Sequence, residues 1–237
     1  MRTARSIIVV AGAGVMSLVP LPAWAAVGTP SSDVVRTSVM LAALAVLPTI
    51  IITMTGFARI VIVLSMVRHA FGMPETPPSS VLVSLALFLT LFGMGPVADE
   101  INRQALQPYL NGSLELQSAA ARGGEPLKRF MLAQTRDSDL AAVYRIAREP
   151  LPQTREQVAL LKLVPAFMIN ELRTAFTIGF VILLPFLLID LVVSSILLAL
   201  GMMMVPPTTI SLPIKLLMFV LIDGWSLLIF GVMGSFK

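Results

Sequence analysis

TIGFVILLPFLLIDLVVSSILLALGMMM, residues 177–204, carries a single charge, Asp190, in a run longer than the roughly 20 apolar residues that span a hydrocarbon core. A helix of this composition has no polar face to offer water. It must be covered by lipid or by other apolar helices. Three more apolar blocks, at about 37–55, 79–98 and 210–233, repeat the pattern. The expected fold class is therefore all-α, an integral membrane protein built of long kinked helical hairpins.

The whole composition agrees. Over 237 residues the chain is 57% hydrophobic and 13% charged, with a mean hydropathy of +0.90. A soluble domain is about 45–50% apolar and about 25% charged, so a soluble enzyme is disfavoured. The formal charge of +4 is small and dispersed, which argues against a nucleic-acid partner. With no cysteine and His69 as the one histidine, a disulfide scaffold, a thiol nucleophile, a metal centre and a Ser-His-Asp triad lose their ligands or bases. No glycine-rich phosphate loop occurs.

Residues 1–25 begin with Arg2 and Arg5, continue through an apolar stretch over 7–19, and close on Pro20, Pro22 and Ala23-Trp24-Ala25. This order matches a secretory signal peptide, with cleavage expected after Ala25. An uncleaved first membrane helix would need a longer apolar run than Pro20 allows. Starting outside the cytoplasm, a topology of four crossings puts the segment between the second and third blocks outside too, and leaves residues 56–78 and 205–209 on the cytoplasmic side.

That segment is the water-loving part of the chain. Residues 126–132 and 139–146 place apolar side chains at helical spacing, and Asp137, Ser138 or Asp139 is suited to cap the second of these helices. Asn111-Gly112 and Gly123-Gly124 read as loops, and Glu149-Pro-Leu-Pro152 as a helix end. Thr154-Arg-Glu-Gln157 resembles a capping box that starts another helix. The expected organisation is a first hairpin over 26–98 (helices about 37–72 and 79–98), a small periplasmic helical domain over 99–176, and a second hairpin with a methionine-rich loop over 177–237.

Five charges fall where hydrocarbon would not tolerate them alone: Arg59 and Arg68 after the first block, Asp190 in the third, and Lys215 and Asp223 in the fourth. Pro48 and Pro185 are expected to break their helices, and Pro206 and Pro207 to end one. Lys215 and Asp223 read as lying about two turns apart on one side of a helix. Either the charges pair and hold helices together, or the helices pack in a larger assembly around an aqueous path; both can hold together. Met202, Met203 and Met204, just before the two prolines, offer flexible, polarizable side chains that can repack around changing shapes. The plainer reading is a greasy helix end.

Taken together these stretches resemble the flagellar export-gate P family (FliP) and its injectisome counterpart. One signature is Pro165-Ala166-Phe167-Met-Ile-Asn-Glu171-Leu-Arg-Thr-Ala-Phe176-Thr-Ile-Gly179-Phe, and a second runs from Pro185-Phe186 through Asp190 to Gly201-Met202. Gly56-Phe-Ala-Arg59, Thr76-Pro-Pro78 and Leu221-Ile-Asp223-Gly-Trp225 agree as well. Two positions depart: Asn170 stands where Ser, Thr or His is usual, and Thr177 where a long polar residue is usual.

The resemblance implies a pore-forming core subunit of the flagellar type III export gate, passing unfolded proteins across the bacterial inner membrane in flagellum assembly. It implies a homo-oligomer of five copies with export-gate Q, R and B subunits, much of it on the periplasmic side, and no cofactor, metal or enzymatic activity. By position, Met202 to Met204 would form a gasket at the constriction. The rival from another class is a secondary transporter or ion channel using Asp190, Lys215 and Asp223 as an intramembrane relay. An intramembrane hydrolase is weaker, because Ser194, Ser195 and Asp190 have no nearby base.

Overall fold

A computed structural model describes residues 32–73 and 75–236, so the expected signal peptide lies outside the described residues. Among them all regular structure is helical, as the apolar periodicity requires. The chain divides into two units, Met1–Ala45 and Val46–Lys237. In the first, the described residues form the opening of helix α1 (Ser32–Met54), which runs on into the second.

Pro48 lies inside α1 and does not end it. The break comes instead at Thr55 and Gly56, where the segment Pro48–Met54 meets α2 (Phe57–Ala70) at 77°. Thr55 is the reason: its hydroxyl donates back to the Ile51 carbonyl and accepts the Phe57 N–H at 3.3 Å, replacing backbone bonds that the bend removes. After a short loop, α3 (Ser79–Gly93) and α4 (Gly95–Ile101) form a second bent stretch, at 62°. A π-helical turn over Asn102–Leu106 joins α4 to α5 (Gln107–Leu110). Pro108 has no N–H for the Gln104 carbonyl, which accounts for the slipped ladder.

Helices α6 (Leu116–Gln134) and α7 (Asp137–Ala147) follow. Gly123 and Gly124 sit within α6 and are not a loop. A Cβ at 123 would stand 3.3 Å from that of Ala105, so the glycine admits the close approach of the π-helical turn. Nor do Asp137, Ser138 and Asp139 cap α7: the helix has already begun at Asp137, and Arg136 precedes it. The box at Thr154 starts only a single 3-10 turn, Arg155–Gln157, because Val158 is extended and buried beside Leu163 and Phe167.

Helix α8 (Leu160–Ala199) is 40 residues long, about 60 Å. It runs unbroken through 176 and 177, where a boundary between domain and hairpin was expected. Pro185 is likewise inside it, a correction to the expected break: one lost backbone bond is tolerated where the helix is otherwise continuous and packed along one side. Its buried residues, among them Leu163, Phe167, Ala175, Phe186, Val193 and Leu197, make one lengthwise stripe, while Phe176, Phe180, Val181, Leu188 and Leu191 are exposed. The last bent stretch is α9 (Pro207–Leu221) and α10 (Gly224–Met233), at 67°. Among the described residues, α8 is the one helix long and apolar enough to cross a membrane, and up to four spans are available if each bent pair counts as one.

Among the described residues two cores hold this unit together. The larger joins α2, α3, α8, α9 and α10 through Ile60, Val63, Val67, Leu82, Phe186, Phe219 and Leu228. The rings of Phe71, Phe186 and Phe219 meet there, with centroids 4.9–6.3 Å apart. The smaller packs α6 and α7 on the start of α8 through Met131, Leu140, Tyr144, Leu163 and Phe167.

Candidate functional site

Arg59 projects from the first turn of α2 into the seam with α8, and it is 1% exposed. Glu171, at 0%, faces it from α8. The guanidinium Nε donates to Glu171 Oε2 at 2.9 Å and Nη2 donates to Oε1. Nη2 also donates to Gln134 Oε1 at 3.3 Å, and Nη1 to the Ser235 carbonyl at 2.9 Å and hydroxyl at 2.8 Å. Every guanidinium N–H thus has an acceptor. Buried charge is tolerated on these terms: paired, and fully hydrogen-bonded. Asn170, the departure noted above, donates to the Gln134 carbonyl at 2.8 Å, so it steadies the end of α6 beside the pair.

Lys215 of α9 is the second buried cation. Its Nζ donates to Asp190 Oδ2 at 2.6 Å and to the Ala70 carbonyl at 3.0 Å. The latter ends α2, where the helix dipole favours a positive charge. One ammonium therefore ties α2, α8 and α9. Arg68 donates to the Ser79 hydroxyl at 2.8 Å, fixing the start of α3.

Asp223 does not join this set. It sits with φ 49° between α9 and α10, so the expected shared helix face with Lys215 is broken at Asp223 itself. It has no ion pair among the described residues. His69 is exposed in the last turn of α2.

Helix α8 stops at Gly201, whose φ of 70° places it in the left-handed region. The Met202 N–H donates to the Leu197 carbonyl at 2.9 Å and the Gly201 N–H to Leu198 at 3.1 Å, the paired bonds of a glycine-terminated helix. Pro206 and Pro207 then open α9, where a missing N–H costs nothing. The turn between carries Met202, Met203 and Met204, which are 43%, 80% and 95% exposed. Three large apolar side chains thus project from a turn closed at both ends by backbone chemistry.

Among the signature residues, Ala166, Phe167, Glu171, Gly179 and Phe186 are buried, and Pro165 and Phe176 are exposed. Gly179 is the close approach of α8 to α2: a Cβ there would stand 2.3 Å from Met66 Sδ. Sequence reading singled out Arg59 and Glu171 separately but missed Gln134, Ser235 and Phe236, which complete the cluster. No group of His, Cys, Asp or Glu suited to a metal ion occurs among the described residues.

The description of the FliP family matches residues 40–232. The flagellar biosynthetic protein FliP of Pectobacterium carotovorum subsp. carotovorum is 51% identical over 202 residues, 85% of this chain and 78% of that protein. That of Bacillus subtilis (strain 168) is 47% identical over 205 residues, 86% and 93% of the two chains. That of Aquifex aeolicus (strain VF5) is 41% identical over 240 residues, spanning 100% of both.

Proposed function

Because this chain belongs to the FliP family, we propose that it is a pore-forming core subunit of the flagellar protein export gate. The family supports a component of flagellar biosynthesis and export, a transport role and not a catalytic one. Association with other subunits of the apparatus, and with a membrane, follows from that role and from α8. The finer reading is that several copies, five by family resemblance, join Q, R and B subunits in the inner membrane. Much of the assembly then stands on the periplasmic side, and unfolded flagellar proteins pass through its centre.

The observation that carries this reading is the methionine turn. Its three side chains are exposed although apolar, and they hang on the end of a 40-residue helix whose outward face is also apolar. Repeated around an axis, such turns would make a ring of thioethers. A polypeptide with varied side chains needs a constriction that yields and closes again, which soft, unbranched side chains supply better than a rigid polar filter. The buried charges support the same reading, since Arg59 and Lys215 are satisfied within one chain and leave the apolar faces for neighbours. An ion relay through Asp190, Lys215 and Asp223 lacks that support, because Asp223 stands apart from the Lys215 pair.

The test is permeability. With Met202, Met203 and Met204 all replaced by Ala, cells should admit small solutes that the native gate excludes, while the assembled complex is recovered in normal amount. Unchanged permeability in a fully assembled alanine variant would remove the gasket role.

A further inference from the structure

Residues 234–236 follow α10 and lie beyond the stretch that the family description matches, yet they complete a deeply buried polar cluster around Arg59 and Glu171. Ser235 accepts two hydrogen bonds from Arg59 Nη1, through its carbonyl and its hydroxyl. The ring of Phe236 lies over the same guanidinium, with the Arg59 Cζ 4.1 Å from the ring centroid. It is tilted 30° to the ring of Phe130 on α6, at 6.4 Å. At the α1–α2 elbow, a Cβ on Gly56 would come within 2.4 Å of two ring carbons of Phe236. Gly56 has φ −71°, which any residue adopts, so what the glycine provides here is room for the ring.

We propose that Ser235 and Phe236 form a lid that seals the Arg59–Glu171 pair and latches α10 to the elbow between α1 and α2. The physical reason is the cost of a half-wetted ion pair. Arg59 is 1% exposed, and its guanidinium face is covered by Phe236 while its edges are spent on hydrogen bonds. An aromatic face suits that place because it attracts the cation and excludes water. Ser235 suits the neighbouring place because a compact residue can present two acceptors to one nitrogen. Ser235 and Phe236 are therefore positioning residues: they act through Arg59. The inference stands on the geometry of one chain and does not depend on the pore reading.

The chain contains no cysteine, so a single introduced thiol reports local access. Ile60 lines the small cavity beside Gly56 and Phe236, and Leu163 is buried in the other core. In the detergent-extracted assembly as isolated from cells, Ile60→Cys should react slowly with a water-soluble maleimide. Adding Phe236→Ala should accelerate that reaction about tenfold or more, Phe236→Tyr should restore protection, and Leu163→Cys should stay protected throughout. Should the alanine variant yield no protein, Phe236→Val, which removes the ring and shortens the side chain so that it no longer covers the guanidinium, provides the same reading. An unchanged rate at Ile60→Cys overturns the lid. So does equal acceleration at both thiols, which would make Phe236 a general support of the fold.

Discussion

Arg59 of α2 and Glu171 of α8 are 112 residues apart in sequence and meet as a fully buried ion pair in the seam between the two helices. Removing one partner strands the other charge away from water, which costs roughly 3–5 kcal/mol. Arg59→Ala and Glu171→Ala should each sharply lower the amount of heat-resistant protein recovered in detergent. The pair replaced together by Met and Leu should recover much of the loss, because apolar groups of similar volume leave no orphan. A double variant as damaged as either single one would contradict this account of the seam.

The Asp190–Lys215 pair should behave more mildly, since the Asp190 side chain is 38% exposed. Asp190→Ala leaves the Lys215 ammonium with the Ala70 carbonyl alone and should reduce the yield of assembled complex. The exchange Asp190→Lys with Lys215→Asp should restore part of that yield but not all, because the cation then no longer caps α2. Normal assembly of Asp190→Ala, measured by recovery of the oligomer, would leave the pair without a structural role.

Gly179 predicts a rescue. Gly179→Val places methyl groups against Met66 and should lower stability by about 1–3 kcal/mol through overpacking. Met66→Ala in the same chain opens the space and should recover a good part of the loss. Thermal denaturation of the two variants in detergent makes the comparison, and an undiminished defect in the double variant would count against close approach of α2 and α8.

At Arg148 the sign is reversed. This residue has φ 56° directly after α7, where its N–H donates to Arg145 and the next N–H to Tyr144. A glycine adopts that conformation without a Cβ clash, so Arg148→Gly should raise resistance to unfolding by up to about 1 kcal/mol. A loss of stability would mean that the Arg148 side chain makes a contact worth more than its backbone strain.

The particulars show what could be read from the sequence. The apolar blocks announced the helices because composition alone separates lipid-like from solvated stretches. They also ran together, because nothing in an apolar run marks a bend such as the one at Thr55, whose hydroxyl does its work through the backbone. Gly123 and Gly124 look like a loop until Ala105 is seen packed against the first of them. Pro185 suggests an end that tertiary packing overrides. The charges set in apolar runs were visible, since each is costly among apolar neighbours, but the partners of Arg59 and Lys215 lie on other helices. The Arg59–Glu171 pair joins positions that no periodicity links. Ser235 and Phe236 carried no signal at all: a serine and a phenylalanine near a chain end are ordinary until the guanidinium beneath them is located.

The central claim is that the exposed apolar faces of α3, α8, α9 and α10 are covered by neighbouring subunits around a conduit for polypeptide. The mass of the detergent-extracted complex that contains this chain tests it most directly. The account predicts several copies, five by resemblance to the family, together with smaller partner subunits. A monomer that supports flagellar export without companions would contradict it.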